Sequence, residues 1–320
     1  MADGEDRREV ESLKVGVVGV GHLGQHHARI YSQMPGIDLI GVVDINERRA
    51  REIGQRLKVP YHVDSSALYQ RVQAVSIAVP TVSHYSVARG FLERGVDVLV
   101  EKPIANNQRD ARDLIGTASS KKCIFQVGHS ERFNNGFKVL QGLIKDPRFI
   151  ECHRLGSFVD RGTDVDVVLD LMIHDIDIVL TLEKSPLKDI DAVGISVLSQ
   201  HVDIANARLQ FESGCVANIT ASRVSVEKMR RMRVFQEDTY LALNYATQEI
   251  SYYRREKSGR LSVHGIPMIR KEEISVEKGE PLESELESFI GCVRNRERPL
   301  ISGEEGEKSL IVACQIKERF

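Results

Sequence analysis

The sequence lacks the features that mark several classes of protein. It has no tryptophan and only 6% aromatic residues, and its 44 basic residues nearly balance its 46 acidic ones. Such mixing leaves no charged surface typical of nucleic-acid or membrane binding. No apolar run approaches the roughly 20 residues of a membrane span, and the first ten residues are mostly charged or polar, unlike a signal peptide. We therefore predict a cytoplasmic protein whose partner is a small molecule, with no role for nucleic acid or membrane.

The cysteines are few and scattered. Their number is odd and no C-x-x-C pair occurs, which argues against a disulfide framework and against a zinc site. Three histidines, His22, His26 and His27, stand close together, but no carboxylate or thiolate accompanies them. We expect these histidines on a helix surface, no metal site, and reduced thiols at Cys123, Cys152, Cys215, Cys292 and Cys314.

The length of 320 residues and the 42% apolar content predict two domains. From residue 13 to about residue 128, short β-rich runs alternate with helical stretches, which is typical of a doubly wound parallel sheet in an α/β fold. The predicted strands of this first domain, residues 1–128, are Lys14–Val18, Asp38–Val43, Ala74–Val79, Asp97–Glu101 and Cys123–Val127.

The pattern changes after Gly128. Helices are predicted near Asn135–Lys145 and Val167–Leu182, and longer β-like runs separated by turn signals predict a large open antiparallel sheet in a second α/β domain, residues 129–320. Two helices at the end of the chain can pack back on the first domain. The β-like runs are Phe149–Phe158, Ile190–Leu198, Val202–Phe211, Cys215–Ser222, Met229–Gln236, Thr239–Tyr245 and Glu249–Arg255, and the last helices are Pro281–Arg294 and Gly303–Phe320.

A glycine motif lies between the first predicted strand and the first predicted helix. It reads Gly19-Val20-Gly21-His22-Leu23-Gly24. In such a turn the first glycine permits the bend, the second admits a diphosphate close to the backbone, and the third lets helix and strand pack closely. The second strand ends on Asp44, about 20 residues further on, where a carboxylate can accept both hydroxyls of an adenosine ribose. The spacing alone is a weak signal, but this context predicts an NAD-binding Rossmann domain.

Two further segments follow predicted strands on the ligand-bearing edge of the sheet. Val79-Pro80-Thr81 and His84 lie at the end of the third strand and in the loop after it, and Glu101-Lys102-Pro103 lies at the carboxyl end of the fourth. The proline fixes the backbone beside the lysine, and a cis Lys102-Pro103 bond would aim the amine into the crevice. On position alone, a solvated lysine at a strand end is an equally good interpretation.

The second domain contributes a polar stripe on an otherwise apolar helix. Asp170, His174 and Asp177 share one face at the i, i+4, i+7 spacing. A carboxylate one turn before an imidazole can orient it and favour its protonated form, as a general base requires. The simpler alternative is a histidine satisfied in the core. Gly128-His129-Ser130-Glu131-Arg132-Phe133-Asn134 adds a charged cluster near the presumed cleft, for which structural roles are at least as good an explanation.

Four ordered motifs together resemble the glucose-fructose oxidoreductase, inositol dehydrogenase and MocA (Gfo/Idh/MocA) family. They are G-V-G-H-L-G, V-P-T-x-x-H, E-K-P and D-x-x-x-H-x-x-D, in that order, and the resemblance extends over nearly the whole chain. The resemblance implies NAD as cofactor and Lys102, Asp170 and His174 as the catalytic group. It further implies cofactor contacts at Gly19, Gly21, His22, Leu23, Gly24, Asp44, Val79, Pro80, Thr81, His84 and Glu101, and substrate or structural contacts at Arg132, Asn134 and Asp177.

The activity that the resemblance implies is oxidation of a sugar hydroxyl to a ketone by an NAD-dependent dehydrogenase. His174 would take the hydroxyl proton and Lys102 would stabilise the alkoxide, or the two roles would be exchanged. An inositol, polyol or free-sugar dehydrogenase is an alternative, and a non-catalytic NAD(H)-binding sensor is another of a different class. The open sheet of the family often forms a subunit interface, so a homodimer or homotetramer is expected.

The D-x-x-x-H-x-x-D motif departs from the pattern of many relatives, which have glycines just before and within it. This chain has Val167-Val168-Leu169 and Met172 there. The local sequence D-V-D-V-V-L-D-L-M-I-H-D-I-D, with G-H-S-E-R-F-N, is similar to the branch of the family that oxidises the 3-hydroxyl of UDP-N-acetylglucosamine for lipid A biosynthesis. The resemblance therefore narrows the expected substrate to a UDP-amino sugar.

Overall fold

The computed structural model of the protein describes residues 12–158, 165–256 and 268–320. These residues form two sheets, one of six parallel strands and one of eight mostly antiparallel strands. This architecture confirms the predicted α/β fold, with a Rossmann sheet followed by a large open sheet. The first sheet ends at Gly128, where the sequence placed the domain boundary, although the division at that residue stays a prediction.

The first sheet has the strand order β3-β2-β1-β4-β5-β6. Its order reverses between β1 and β4, which is the crevice where doubly wound folds hold their ligands. Its strands are nearly all buried because helices cover both faces. The strands are β1 (Leu13–Val18), β2 (Ile37–Val43), β3 (Tyr61–His62), β4 (Ala74–Ile77), β5 (Asp97–Glu101) and β6 (Phe125–Gly128), and the helices are α1 (Gly24–Gln33), α2 (Glu47–Leu57), α3 (Thr81–Leu92) and α4 (Gln108–Lys121).

The second sheet has the order β14-β13-β12-β11-β7-β10-β9-β8. One pair at its centre, β7 with β10, is parallel, which the prediction of an antiparallel sheet did not include. After β7 the chain crosses over through a helix to the far edge, and β8, β9 and β10 then return by successive reversals. The strands are β7 (Pro147–Leu155), β8 (Leu187–Ile195), β9 (Ile204–Phe211), β10 (Val216–Ser222), β11 (Met229–Gln236), β12 (Thr239–Asn244), β13 (Glu249–Arg255) and β14 (Ile269–Glu273).

Helices cover one face of this sheet and connect it to the first domain. They are α5 (Asn135–Leu143), a π-helical turn (Val168–Met172) that continues directly into α6 (Ile173–Leu182), α7 (Pro281–Asn295) and α8 (Gly303–Lys317). The last two pack back on the first domain: Leu286 and Phe289 of α7 join the core of Val15 and Val17, and Arg112 of α4 pairs with Glu307 of α8.

Candidate active site

The glycine turn lies at the crevice between β1 and β4. Gly19 has a φ of 83°, and a Cβ there would come within 2.5 Å of the Ala78 carbonyl oxygen. A Cβ on Gly24 would lie 1.7 Å from the Gly19 oxygen. Beside Gly21 the nearest atom to such a Cβ is the Arg49 guanidinium, at 3.8 Å. At these glycines the backbone before α1 has no side chains and turns tightly. The N–H groups at the start of the helix can therefore bind a diphosphate, and the turn fits the pyrophosphate of NAD.

Asp44 lies at the end of β2 and faces this turn. Its carboxylate accepts hydrogen bonds from the backbone N–H of Val20 at 3.1 Å and of Asn46 at 2.9 Å. The half-exposed Arg49 guanidinium pairs with the same carboxylate at 3.3 Å. The buried acid is thus held in place at the distance from the glycine turn that an adenosine ribose requires.

Other predicted cofactor residues surround the same crevice. His22 and Leu23 are exposed at the start of α1. The Val79 side chain lies against the Gly19 turn, and Pro80 precedes the start of α3 at Thr81. His84 is different, because its imidazole is buried between the carbonyl oxygens of Pro103 at 2.7 Å and Val79 at 2.9 Å. His84 therefore holds two loops of the crevice together rather than facing it.

Lys102 follows β5 and reaches across to the second domain. The Lys102–Pro103 bond is cis, as the sequence suggested. The ammonium donates to the Asp170 backbone oxygen at 2.6 Å and lies 3.3 Å from the Asp170 carboxylate. Asp170 belongs to the π-helical turn, a feature often found at functional sites. The sequence paired Asp170 with His174. In the described residues the Asp170 carboxylate contacts the lysine instead, because the wider turn presents both the backbone oxygen and the carboxylate of Asp170 to the first domain.

His174 is half-buried at the start of α6, beside the lysine. Burial lowers the pKa of His174 well below its ordinary value, and the positive charges of Lys102 and Arg154 lower that pKa further. The sequence favoured a protonated imidazole, and this expectation was wrong because burial disfavours the charged ring and the neighbouring cations add to that effect. The His129 ring stands edge-on to the His174 ring, with 6.3 Å between centroids. A neutral imidazole next to an ammonium group can accept a proton.

Glu101 lies directly under Lys102 at the end of β5. Its carboxylate is 3.1 Å from Nε2 of His27, a fully buried residue of α1. Burial acts to raise the pKa of Glu101, but the hydrogen bond and charge of His27 outweigh it and lower that pKa below its ordinary value. The sequence placed His27 on the helix surface. The buried spacing of Gly24, His27, Ala28 and Tyr31 along α1 is the signal that could have placed it inside.

The three residues predicted to contact substrate have other partners in the structure. Arg132 and Asp177 form a buried, two-point ion pair, with both N–O distances 2.7 Å. Ser309 of α8 donates to the same Asp177 carboxylate at 3.1 Å. The buried Asn134 caps α5 and donates to the Tyr245 carbonyl at 3.1 Å. These contacts favour a structural role, in which the polar groups join α6, α8 and the segment after β6.

A second buried ion pair escaped the sequence analysis. Arg154 of β7 binds both carboxylate oxygens of Asp175, at 2.8 and 3.0 Å, and also Glu131 at 2.8 Å. Both Arg154 and Asp175 are at most 4% exposed. Because Asp175 follows His174 directly, this pair fixes the first turn of α6 against the sheet. The signal that the sequence offered for this ion pair was Arg154 itself, a charged residue at a position of β7 that points into the core.

The described residues therefore contain a dinucleotide crevice with an interdomain lysine, carboxylate and imidazole at its mouth, which together define an NAD-binding oxidoreductase. Two family models match the chain: "Oxidoreductase family, NAD-binding Rossmann fold" over residues 13–129 and "GFO/IDH/MocA C-terminal domain" over residues 140–241. The chain belongs to the Gfo/Idh/MocA oxidoreductase family, and its cofactor is NAD.

Enzymes of known activity are similar to nearly the entire chain. It is 36% identical to UDP-N-acetylglucosamine 3-dehydrogenase of Acidithiobacillus ferrooxidans, with 95% of this chain and 96% of that protein covered. A solved structure of that enzyme has a TM-score of 0.90 at 35% identity and covers 96% of this chain and 97% of the other. Myo-inositol 2-dehydrogenase of Thermotoga maritima is 25% identical, with 96% of each chain covered.

Proposed function

We propose that this protein is an NAD-dependent dehydrogenase that oxidises the 3-hydroxyl of a UDP-amino sugar, UDP-N-acetylglucosamine, to a ketone. The observation that carries the proposal is the meeting of Lys102 and Asp170 across the interdomain cleft, 3.3 Å apart, beside a half-buried His174. The match to a UDP-N-acetylglucosamine 3-dehydrogenase over 95% of the chain supports the substrate.

The side chains divide the chemistry between them. NAD, held by the Gly19–Gly24 turn and Asp44, supplies the hydride acceptor. Neutral His174 takes the proton of the sugar hydroxyl as general base. The Lys102 ammonium, oriented by Asp170, donates a charge-assisted hydrogen bond to the developing alkoxide. An arrangement of this kind has no evident use in a non-catalytic sensor.

A cation on the cleft side of the second sheet supports an anionic substrate. Arg230 lies directly opposite Arg154 in the β11–β7 register, and paired residues of neighbouring antiparallel strands project from the same face. Arg230 therefore lies on the helix-covered face, and its charge contributes to the lowered pKa of His174. It is exposed, and no carboxylate of the described residues lies within ion-pair distance of it. Such a guanidinium can receive a diphosphate.

The test is the appearance of NADH absorbance when purified protein meets NAD and single candidate substrates. UDP-N-acetylglucosamine should give turnover, and UDP-glucose, free N-acetylglucosamine and myo-inositol should give much less. Preferred turnover of an inositol or a free sugar would transfer the assignment to that substrate class. Binding of NAD without turnover of any candidate would favour the sensor.

Cofactor preference depends on Asp44. Its carboxylate should accept the ribose hydroxyls of NAD and repel the 2'-phosphate of NADP, whereas Arg49 offsets part of that repulsion. Asp44→Ala is expected to weaken NAD binding by about tenfold while NADP binding weakens less. Titration of both cofactors measures this, with Asp38→Ala, an exposed acid of the same strand, as the matched control. Tighter binding of NADP than NAD by the unmodified protein would contradict the assignment.

The face of the second sheet without helices favours association of subunits. An aromatic row of Phe149, Phe235, Tyr240 and Tyr253 runs across four strands of that face, with neighbouring ring centroids 5.0 to 5.7 Å apart. Partly exposed apolar surface of this kind is commonly covered by another subunit. We expect a homodimer or homotetramer, and a monomer by light scattering at micromolar concentration would contradict this.

The cellular setting belongs to the same proposal. In the described residues no helix is long and apolar enough to cross a membrane. The five cysteines are free thiols, which supports a cytoplasmic, reducing compartment. A 3-keto UDP-amino sugar is a substrate for amination, and a role in lipid A biosynthesis would follow from that chemistry.

A further inference from the structure

A buried carboxyl group in α7 has no place in the mechanism above. Glu285 is fully buried, and neither of its carboxyl oxygens is within hydrogen-bond distance of a described residue. Its backbone oxygen accepts from the Gln126 side chain at 3.3 Å. An unpaired buried carboxylate is strongly unfavourable, because desolvation of a full charge is not offset. The group therefore needs either a proton or a partner.

Other polar atoms around Glu285 are equally unsatisfied. Leu99 pairs with Gln126 and Glu101 pairs with Gly128 in the β5–β6 register, so the Glu101 and Gln126 side chains project from the same face of the sheet. Besides both oxygens of Glu285, the buried atoms without a partner in the described residues include Nδ1 of His27, whose Nε2 contacts Glu101, Oε1 of Gln126 and both ring nitrogens of His129. Groups like these usually have internal water as a partner.

The titratable groups that interact with Glu285 are Tyr31 of α1, Glu101 of β5 and Asp177 of α6. His27 pairs in turn with Glu101, Arg132 pairs with Asp177, and His129 lies in the field of Asp177. Burial, together with the charges of Glu101 and Asp177, raises the pKa of Glu285 well above its ordinary value. The pKa of Glu101 moves in the opposite direction. Two neighbouring carboxyl groups with opposite shifts have different protonation states.

We propose that Glu285 is an uncharged carboxylic acid in the folded protein, and that the proton it shares with the Glu101 carboxylate, across internal water, positions Glu101 beneath Lys102. The proton stays between the two carboxyl groups, and no bond to substrate is involved. Glu101 already accepts from His27 through Oε1, and its backbone lies directly before the lysine. A Cβ on Gly128 would lie only 3.1 Å from the Glu101 carboxyl group, so this side chain is closely confined. Glu285 thereby connects α7, near the end of the chain, to the cofactor crevice.

The first test observes the proton itself. Infrared spectra of protein containing isotope-labelled glutamate should show the carbonyl stretch of a protonated glutamic acid at about pH 8, well above the ordinary pKa of the group. Labelling of glutamate alone shifts the glutamic acid band and so distinguishes it from the bands of aspartic acids. The band should vanish in Glu285→Gln and persist in Glu287→Gln, an exposed neighbour on the same helix. Absence of the band, or its persistence in Glu285→Gln, would overturn the inference, and the result is independent of the proposed substrate.

The second test separates positioning from simple packing. Glu285→Leu fills the space but cannot donate, so it should weaken NAD binding by about tenfold. Glu285→Gln retains an N–H donor and should stay within about twofold of the unmodified protein. Glu287→Leu should change neither cofactor affinity nor turnover. If Glu285→Leu binds NAD as the unmodified protein does, the positioning role is wrong. If that variant does not fold, the affinity of Glu285→Gln and its infrared spectrum still decide the matter.

Discussion

Replacing Lys102 or His174 with alanine is expected to lower turnover on the order of a hundredfold or more while NAD still binds. The reason is geometric: the Lys102 ammonium crosses the interdomain cleft to Asp170 at 3.3 Å, and His174 lies beside it. Neither side chain belongs to the Gly19–Gly24 turn or contacts Asp44, so cofactor affinity should change little. Steady-state kinetics and NAD titration of each variant measure the two quantities separately.

Matched controls are available for both substitutions. Lys121→Ala and His201→Ala remove exposed side chains of the same types and should leave turnover unchanged. Undiminished turnover in His174→Ala would remove the imidazole from the mechanism and leave the lysine as the only candidate base. Loss of NAD binding in parallel with turnover would show instead that the variant had lost its fold.

The pH dependence tests which group is the base. The pKa of His174 lies well below 6.5, so the imidazole is neutral at pH 7 and gains its proton only as the pH falls. The acid limb of kcat/KM should therefore lie below pH 6.5. Removing the neighbouring cation in Lys102→Met should raise the pKa of His174. The acid limb of kcat/KM, measured on the activity that this variant retains, should then move to higher pH. A limb that does not move would point to another group.

The sequence predicted the architecture well because its signals are local. Continuous apolar runs marked the buried parallel strands, and glycine spacing marked the turn at the crevice. The two-residue β3 and the terminal β14 were missed, since short edge strands carry little hydrophobic pattern. The sequence did predict that Lys102, Asp170 and His174 lie at one cleft, but it could not show that Asp170 pairs with the lysine rather than with the histidine.

What the sequence missed depends on contacts between distant segments. Asp170 contacts the lysine because a π-helical turn replaces the predicted regular helix, and spacing rules assume regular geometry. Asp177 was expected to make a substrate or a structural contact, and the sequence could not show that its carboxylate pairs with Arg132, which is 45 residues away in the chain. The sequence did not indicate that Glu285 is buried, because a glutamate in an amphipathic helix is ordinarily expected on its exposed face. Buried charge pairing is a tertiary property, so it could be seen only once α6, α7 and α8 were placed.

Gly24→Ala is expected to abolish most cofactor binding. The added Cβ would lie 1.7 Å from the Gly19 backbone oxygen, 2.9 Å from the Gly19 carbonyl carbon and 3.2 Å from the Ala78 Cβ. No side-chain rotation relieves a clash with backbone, so α1 and the turn must separate. Overpacking typically costs about 1–3 kcal/mol, and a clash with backbone belongs at the upper end. About 3 kcal/mol corresponds to roughly a hundredfold loss of NAD affinity, because about 1.4 kcal/mol is tenfold.

Gly116→Ala is the matched control for that substitution. Gly116 is also helical, in α4, but a Cβ there meets nothing within 4 Å. Alanine is favoured over glycine inside helices by about 1 kcal/mol, so this variant should unfold at an equal or higher temperature and bind NAD normally. Calorimetric titration with NAD and thermal unfolding of both variants compare the two. If Gly24→Ala binds NAD as tightly as Gly116→Ala, the close approach of helix and strand is not what shapes the diphosphate site, and the role assigned to the third glycine of the motif is wrong.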